Sequence, residues 1–302
     1  MTVTRRSNAM NKIYKIIVIT LVLVSCIILM GKKETNEFTV NSVNVQMTST
    51  NKNNIFNNDN SIKYIGHRGI GGLAPENTLP AFELAGKLGF WGAECDVRTT
   101  SDGNWMILHD DTVNRMTNGN GKISSLSFEK VRALNINSGK NIASFKAVKI
   151  PKLRDYLITC KKWGVIPVIE MKPAANVQYY DKFVEAIKKY GNIQKTVVIS
   201  YSSVSLNELR KRDSNLTLGL LCSSITNSNI NYVKSLGNSF IDSSYHNITK
   251  SEVILCHKNN IKVGAWTVDD IVVANSLTHK GVDYLTTNKL LPHVKKQEVS
   301  IY

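Results

Sequence analysis

The sequence is short of acid and contains no closely paired cysteines, and both shortages narrow what it can be. Its 23 Asp and Glu stand against 38 Lys and Arg, a formal net charge of +15. Such a surface favours polyanions, anionic lipid or acidic small substrates, without choosing among them. No zinc-finger, RNA-recognition or basic-zipper pattern accompanies the charge, which argues against a nucleic-acid partner. The five cysteines, Cys26, Cys95, Cys160, Cys222 and Cys256, form no CxxC pair, so neither a zinc site nor a disulfide framework is expected. There is no internal repeat. What is present is ordinary globular composition over 302 residues, 42% hydrophobic and 20% charged. One barrel of roughly 250 residues would fit.

The chain divides into three parts by composition. In residues 1–31 an apolar run, Ile16 to Met30, follows Arg5, Arg6, Lys12 and Lys15. That pattern resembles the start of a secretory signal, with Met10 a second candidate start. Leu23-Val24-Ser25-Cys26 resembles a lipobox, which would lipidate Cys26, whereas Ile27 to Met30 prolong the run as an uncleaved signal anchor would. Either form puts the protein outside the cytoplasm and on the membrane. Residues 32–61 are polar and Asn-rich, with too few apolar side chains to order themselves, and read as a linker. Residues 62–302 read as the folded domain.

Within that domain short apolar runs alternate with helical patterns, the signature of βα units and a parallel sheet. The pattern predicts strands at Lys63–His67, Gly92–Val97, Trp105–His109, Val165–Glu170, Thr196–Ser200, Leu216–Leu221, Phe240–Ser243, Lys262–Trp266 and Tyr284–Thr286. The predicted helices include Leu79–Leu88, Lys152–Trp163, Tyr180–Tyr190, Ser203–Arg212 and Ser251–Asn259. Nine strands exceed the eight of a barrel. The second and third are too close for the crossover that parallel neighbours need. They form either a hairpin or an irregular part of the barrel. Residues 112–149 read as a small insertion over the barrel mouth.

Four short patterns carry chemistry. In Gly66-His67-Arg68-Gly69, followed by Pro75-Glu76-Asn77-Thr78, a histidine leaves a strand into a glycine-rich loop beside a guanidinium suited to phosphate. Glu94-Cys95-Asp96 sets two carboxylates on one face of a strand that otherwise reads as core, because strand side chains alternate. Two buried like charges repel, and a hard divalent cation such as calcium or magnesium would resolve the repulsion. His109-Asp110 adds a second imidazole at a strand end. Glu170 and Lys172, again two apart, offer a third carboxylate and a point cation. Such a set suits phosphodiester chemistry: a cation polarises the phosphoryl oxygens, Arg68 and Lys172 stabilise growing charge, and two histidines divide the proton transfers.

These patterns resemble the glycerophosphodiester phosphodiesterase family. The likeness runs through Gly66-His67-Arg68-Gly69, Ala74-Pro75-Glu76-Asn77-Thr78, Glu94-Cys95-Asp96-Val97, Ser101-Asp102-Gly103, His109-Asp110, Ile150-Pro151-Lys152-Leu153 and Glu170-Met171-Lys172. Later echoes are Val198-Ile199-Ser200-Tyr201, Trp266-Thr267-Val268-Asp269 and Gly281-Val282-Asp283. It covers about residues 62–294. The resemblance implies an irregular TIM-type (β/α)8 barrel that hydrolyses glycerophosphodiesters to an alcohol and sn-glycerol 3-phosphate. It implies metal carboxylates at Glu94, Asp96 and Glu170, catalytic histidines at His67 and His109, and phosphate contacts at Arg68 and Lys172. The substrate's own glycerol hydroxyl would attack phosphorus; which histidine is the base stays open. Glu76 and Asn77 are expected to support the loop. Trp266 would either stack on a cationic headgroup or close the barrel rim. Tyr201 stands where a Phe is common and would add a polar tip. Tyr284 stands where a Gly is common and would narrow the pocket. His246, His257, His279 and His293 match no motif and read as surface or structural. The competing readings are a phospholipase-D-like or phosphatidylinositol-type lipase on a related barrel, and a catalytically silent binding barrel.

Overall fold

A computed structural model describes residues 62–174 and 176–292. The leader, the linker and the last ten residues of the chain lie outside this range. Nine strands occur among the described residues: β1 (Lys63–Gly66), β2 (Gly92–Thr99), β3 (Trp105–Ile107), β4 (Ile166–Met171), β5 (Val197–Ser200), β6 (Thr217–Cys222), β7 (Ser239–Ser244), β8 (Val263–Trp266) and β9 (Tyr284–Thr287). All but β3 run parallel and close a ring, with β1 paired to both β2 and β9. This is the TIM-type barrel. The helices packed around it are α1 (Leu79–Lys87), α3 (Leu153–Trp163), α4 (Tyr179–Tyr190), α5 (Ser203–Arg212), α6 (Asn227–Leu236), α7 (Lys250–Lys258) and α8 (Ile271–Lys280). A short α2 (Phe128–Ala133) lies in the excursion before α3. Among the described residues no helix is long and apolar enough to cross a membrane.

The surplus strand resolves as a hairpin. β3 pairs antiparallel with the end of β2, Val97 opposite Ile107 and Thr99 opposite Trp105. The next barrel strand after β2 is therefore β4, paired from Gly92–Ile166 to Val97–Met171. Met106 of β3 and residues beyond that strand, Leu108, Val113, Met116, Ile123, Val131, Ile136, Val148 and Ile150, build a separate small core. Each well-buried side chain of that size contributes roughly 1.5–3 kcal/mol, enough to hold so short an excursion in one shape. The excursion rests on the loop after β1, where Asn141 Nδ2 donates to the Leu73 carbonyl at 3.0 Å.

Strand alternation explains why this sequence closes a barrel and where it puts its acids. On β2 the apolar Ala93, Cys95 and Val97 face the helices and pack with Phe82 and Tyr156. Glu94 and Asp96 therefore face inward. On β4, Ile169 and Met171 join the outer core while Val168 and Glu170 point in. The inner layer is filled by Ile65, Val168, Val197, Ile199, Leu221, Phe240 and Tyr284. Tyr156 ties the two acidic strands from outside: its hydroxyl donates to the Ala93 carbonyl at 2.6 Å and accepts the Val168 N–H at 3.0 Å. The four described cysteines are buried free thiols, and Cys95 points away from its acidic neighbours. Tyr284 does not narrow the pocket. It begins β9 and packs against Trp91 and Phe240 at the opposite, N-terminal end of the barrel.

Candidate active site

The C-terminal strand ends surround a cavity of about 160 Å³. One wall carries His67, Arg68, Glu94, His109, Glu170 and Lys172. Ile199, Leu221, Trp266 and Asp242 lie across from them. With Tyr201, eight of the residues singled out by sequence thus line one space, and Asp96 is buried next to them. Asp96 and Glu170 are register partners across β2 and β4. Carboxylate oxygens of Glu94, Asp96 and Glu170 all lie within 4.8 Å of one another.

The approach of His67 and Arg68 depends on two glycines. A side chain at Gly66 would collide with the Gly69 carbonyl, and Gly69 itself has φ +87 with the Ala81 backbone 2.6 Å from any added carbon. Arg68 is left-handed at φ 54, a conformation that turns its N–H onto Glu94 Oε2 at 2.7 Å. Its guanidinium pairs with Glu76 at 2.8 Å. The buried Nε lies 3.6 Å from Asp96, too far to donate, and has no acceptor. Lys172 reaches Asp96 at 3.1 Å and also contacts Glu170. Asn77 grips Asp96 reciprocally, its Nδ2 donating to the carboxylate at 2.8 Å and its Oδ1 accepting the Asp96 N–H at 3.1 Å. Glu76 and Asn77 therefore brace the groups of the cavity rather than line it.

Negative charge in the cluster exceeds what its cations absorb. Burial, then the charges of Asp96 and Glu170, push the Glu94 carboxyl well above its usual range. Burial and Asp96 raise Glu170 to about 7. Burial also works to raise Asp96, but Lys172, His109 and Arg68 outweigh it and hold that group ionised. Three hard oxygen donors, converging and mutually repelling, fit a divalent cation.

The two imidazoles are held differently. His67 Nδ1 lies 2.8 Å from Asn288 Oδ1. That amide is pinned, because Asn288 Nδ2 donates to Asp269 Oδ2 at 2.7 Å and the Asn288 N–H donates to Asp269 Oδ1 at 2.7 Å. Only its oxygen is left for the ring, so His67 Nδ1 donates and Nε2 keeps its lone pair. Burial and neighbouring Arg68 lower the His67 pKa, favouring the neutral ring. His109 Nδ1 instead meets the Asp110 carboxylate at 2.8 Å, a partner suited to an imidazolium. Arg115 clamps Asp110 at 2.7 Å and Glu76 at 2.7 Å, tying the excursion to the β1 loop. Its hydrogen bond is the largest effect holding the Asp110 carboxyl down at about 2.

Asn288, Asp269, Arg115 and Asp242 had no role assigned from sequence. Asp269 belongs to a quoted motif but its partner is remote in the chain, and Arg115 lies in an irregular loop. Asp242, 3% exposed, has an Oδ1 without a hydrogen-bond partner. Burial, and secondarily Glu170, raises its carboxyl to about 7. Tyr201 lines the cavity's open side at 54% exposure, edge-on to Trp266 at 5.9 Å. His257 pairs with Asp283 on the outside, at 2.9 Å. His293 lies outside the described residues.

Phosphoryl transfer asks for charge-stabilising groups, a base and an acid in one cleft, and this barrel brings candidates for each to its strand ends; its class is that of the barrel phosphodiester hydrolases. A family model for the glycerophosphoryl diester phosphodiesterase family matches residues 67–291. The chain is 31% identical over 238 residues to a glycerophosphodiester phosphodiesterase of Caldanaerobacter subterraneus, a match covering 74% of this chain and 93% of that protein. It is 24% identical to one of Bacillus subtilis, covering 83% and 92%. Among solved structures it is similar to a phosphodiesterase of Oleispira antarctica in complex with the product sn-glycerol-3-phosphate. That match has TM-score 0.72 and 25% identity and covers 76% of this chain and 93% of the other. The chain belongs to the glycerophosphodiester phosphodiesterase family.

Proposed function

We propose that the protein hydrolyses glycerophosphodiesters to an alcohol and sn-glycerol 3-phosphate with the help of one calcium or magnesium ion. The observation that carries the reading is the convergence of Glu94, Asp96 and Glu170 within 4.8 Å, beside both histidines in one cavity. Those three residues would hold the ion, which when bound supplies Lewis-acid polarisation of the phosphate. Arg68 and Lys172 bind the phosphoryl oxygens, and the unpartnered Nε–H of Arg68 supports that role. His67, neutral with Nε2 exposed as a lone pair, takes the proton of the attacking hydroxyl. His109, backed by Asp110, returns a proton to the leaving alcohol. Attack by the glycerol hydroxyl expels the alcohol and closes a cyclic phosphate, which a water molecule then opens to sn-glycerol 3-phosphate; the two steps sum to addition of one water across the P–O bond to the alcohol.

The cavity supports a deacylated substrate. His67, Arg68, Glu94, His109, Glu170 and Lys172 make much of its lining charged or polar, a poor match to an acyl chain. No side chain from residues 112–149 lines it, as an acyl-binding mouth would require. The test is release of sn-glycerol 3-phosphate from glycerophosphocholine, with and without chelator. Metal-dependent release supports the reading; release unchanged by chelator removes the metal from it, and no turnover across a panel of glycerophosphodiesters sinks it.

Membrane attachment outside the cytoplasm, by an uncleaved anchor or by lipidation of Cys26, is supported by the basic residues ahead of the run Ile16 to Met30. Processing that is blocked by globomycin or by Cys26→Ala would support the lipoprotein form. Processing unchanged by both would exclude it.

A further inference from the structure

Asp242 is the one acid of the cavity that the proposed chemistry leaves without a task. It lies mid-strand on β7, away from the charged wall built by β1, β2 and β4. It is 3% exposed, and Oδ1 is buried with no hydrogen-bond partner. An unpaired buried carboxyl oxygen forfeits hydrogen bonds that water would give, and persists where a ligand supplies them. The sheet is shaped to admit this carboxyl. Its register partner on β8 is Gly264, where any side chain would collide with the Asp242 carboxyl. Beside it Trp266 is fixed by donating Nε1–H to the Asp242 carbonyl at 3.0 Å.

The rest of that wall, Ile199, Leu221 and the Trp266 ring, is largely apolar. A phosphate held by Arg68 and Lys172 would lay its neighbouring carbons against these side chains. A polar group at the far end of those carbons would then meet Asp242. We propose that Asp242 is a specificity-determining residue that hydrogen-bonds the terminal hydroxyl of the substrate's glycerol, an inference that rests on the phosphodiesterase reading above. The leaving alcohol's headgroup takes the open side instead, where Tyr201 is 54% exposed. A deep carboxyl beside an apolar wall therefore reads the polyol that stays with the phosphate.

The experiment compares two diesters with the same leaving alcohol on the full chain. One is the glycerol ester; the other carries propane-1,2-diol, which keeps the attacking hydroxyl and lacks the terminal one. Wild type should favour the glycerol ester in kcat/KM by about tenfold or more, because the analogue leaves a buried acceptor unpaired. Asp242→Ala should slow the glycerol ester by a similar factor and leave the propanediol ester within about threefold, collapsing the preference. Wild type alone provides a test if the alanine variant fails to fold: equal rates on the two esters overturn the proposal. Equal slowing of both esters by Asp242→Ala would also overturn it, as would a loss that follows the charge of the headgroup, choline against ethanol. Turnover of neither ester by wild type would defeat the phosphodiesterase reading itself, and this inference with it.

Discussion

Asp269→Ala should impair catalysis although Asp269 does not line the cavity. Its carboxylate accepts the Asn288 N–H at 2.7 Å, Asn288 Nδ2 at 2.7 Å and the Thr287 hydroxyl at 3.1 Å. Only the bond from Nδ2 decides which end of the amide faces His67, 2.8 Å away. Without it the amide can turn, present its N–H₂ group and select the ring tautomer that carries its proton on Nε2. A hydrogen bond to a charged group is worth about 1.5–3 kcal/mol. If that difference appears wholly in the barrier, kcat falls roughly 10- to 150-fold. The Asp269 charge raises the His67 pKa. Its removal lowers that pKa, so the acid limb of the kcat/KM profile moves to lower pH even as the plateau falls. Asn288→Ala should produce a loss of similar size, and the double variant little more than either single one, since both act through one ring. Steady-state kinetics over pH on the three variants test this. Additive losses, or a lower rate with an unmoved acid limb, would refute the positioning argument.

Other consequences follow from the same geometry. Arg115→Ala frees Asp110, whose carboxyl should rise from about 2, and should cut kcat by about tenfold through a loosened His109; unchanged kcat would show that the clamp is idle. Glu170 is raised to about 7 in the fold from its ordinary ~4.3. The folded form then holds a proton that the unfolded chain has lost, so chelated protein should lose stability as pH rises across that interval. A saturating divalent cation should reverse that slope, and thermal unfolding with and without chelator measures it; a flat chelated profile would contradict the charge excess. Tyr156→Phe removes the hydroxyl that serves the Ala93 carbonyl and the Val168 N–H. It should cost about 1–3 kcal/mol in denaturant unfolding, and a neutral substitution would contradict the role given to that hydroxyl.

The barrel was legible because its signal is local. Glu94-Cys95-Asp96 shows by alternation alone that both acids share a face, and Cys95 duly packs among the helices. The hairpin was half legible: the short link between β2 and β3 excluded a crossover without saying whether β3 joined the ring. Register was not legible. Nothing local states that Asp96 stands opposite Glu170, and that pairing makes the cluster. Asn288 meets His67 across 221 positions of sequence, with no spacing rule to announce it. Asp242 was hidden differently. Phe240 and Asp242 share one face of β7 and Ile241 takes the other, so an apolar residue stands on either face and neither could be named the inner one from sequence. Tyr284 misled because a residue's place in a motif does not tell which end of the barrel its strand position occupies.

The most direct test is calorimetric titration of chelator-stripped protein with calcium and with magnesium, for wild type and for Asp96→Ala. One ion per chain should bind wild type with release of heat or protons, and the variant should lose that site while still unfolding cooperatively. Binding undiminished in the variant, or no binding of either ion to wild type, would contradict a single cation gathered by Glu94, Asp96 and Glu170.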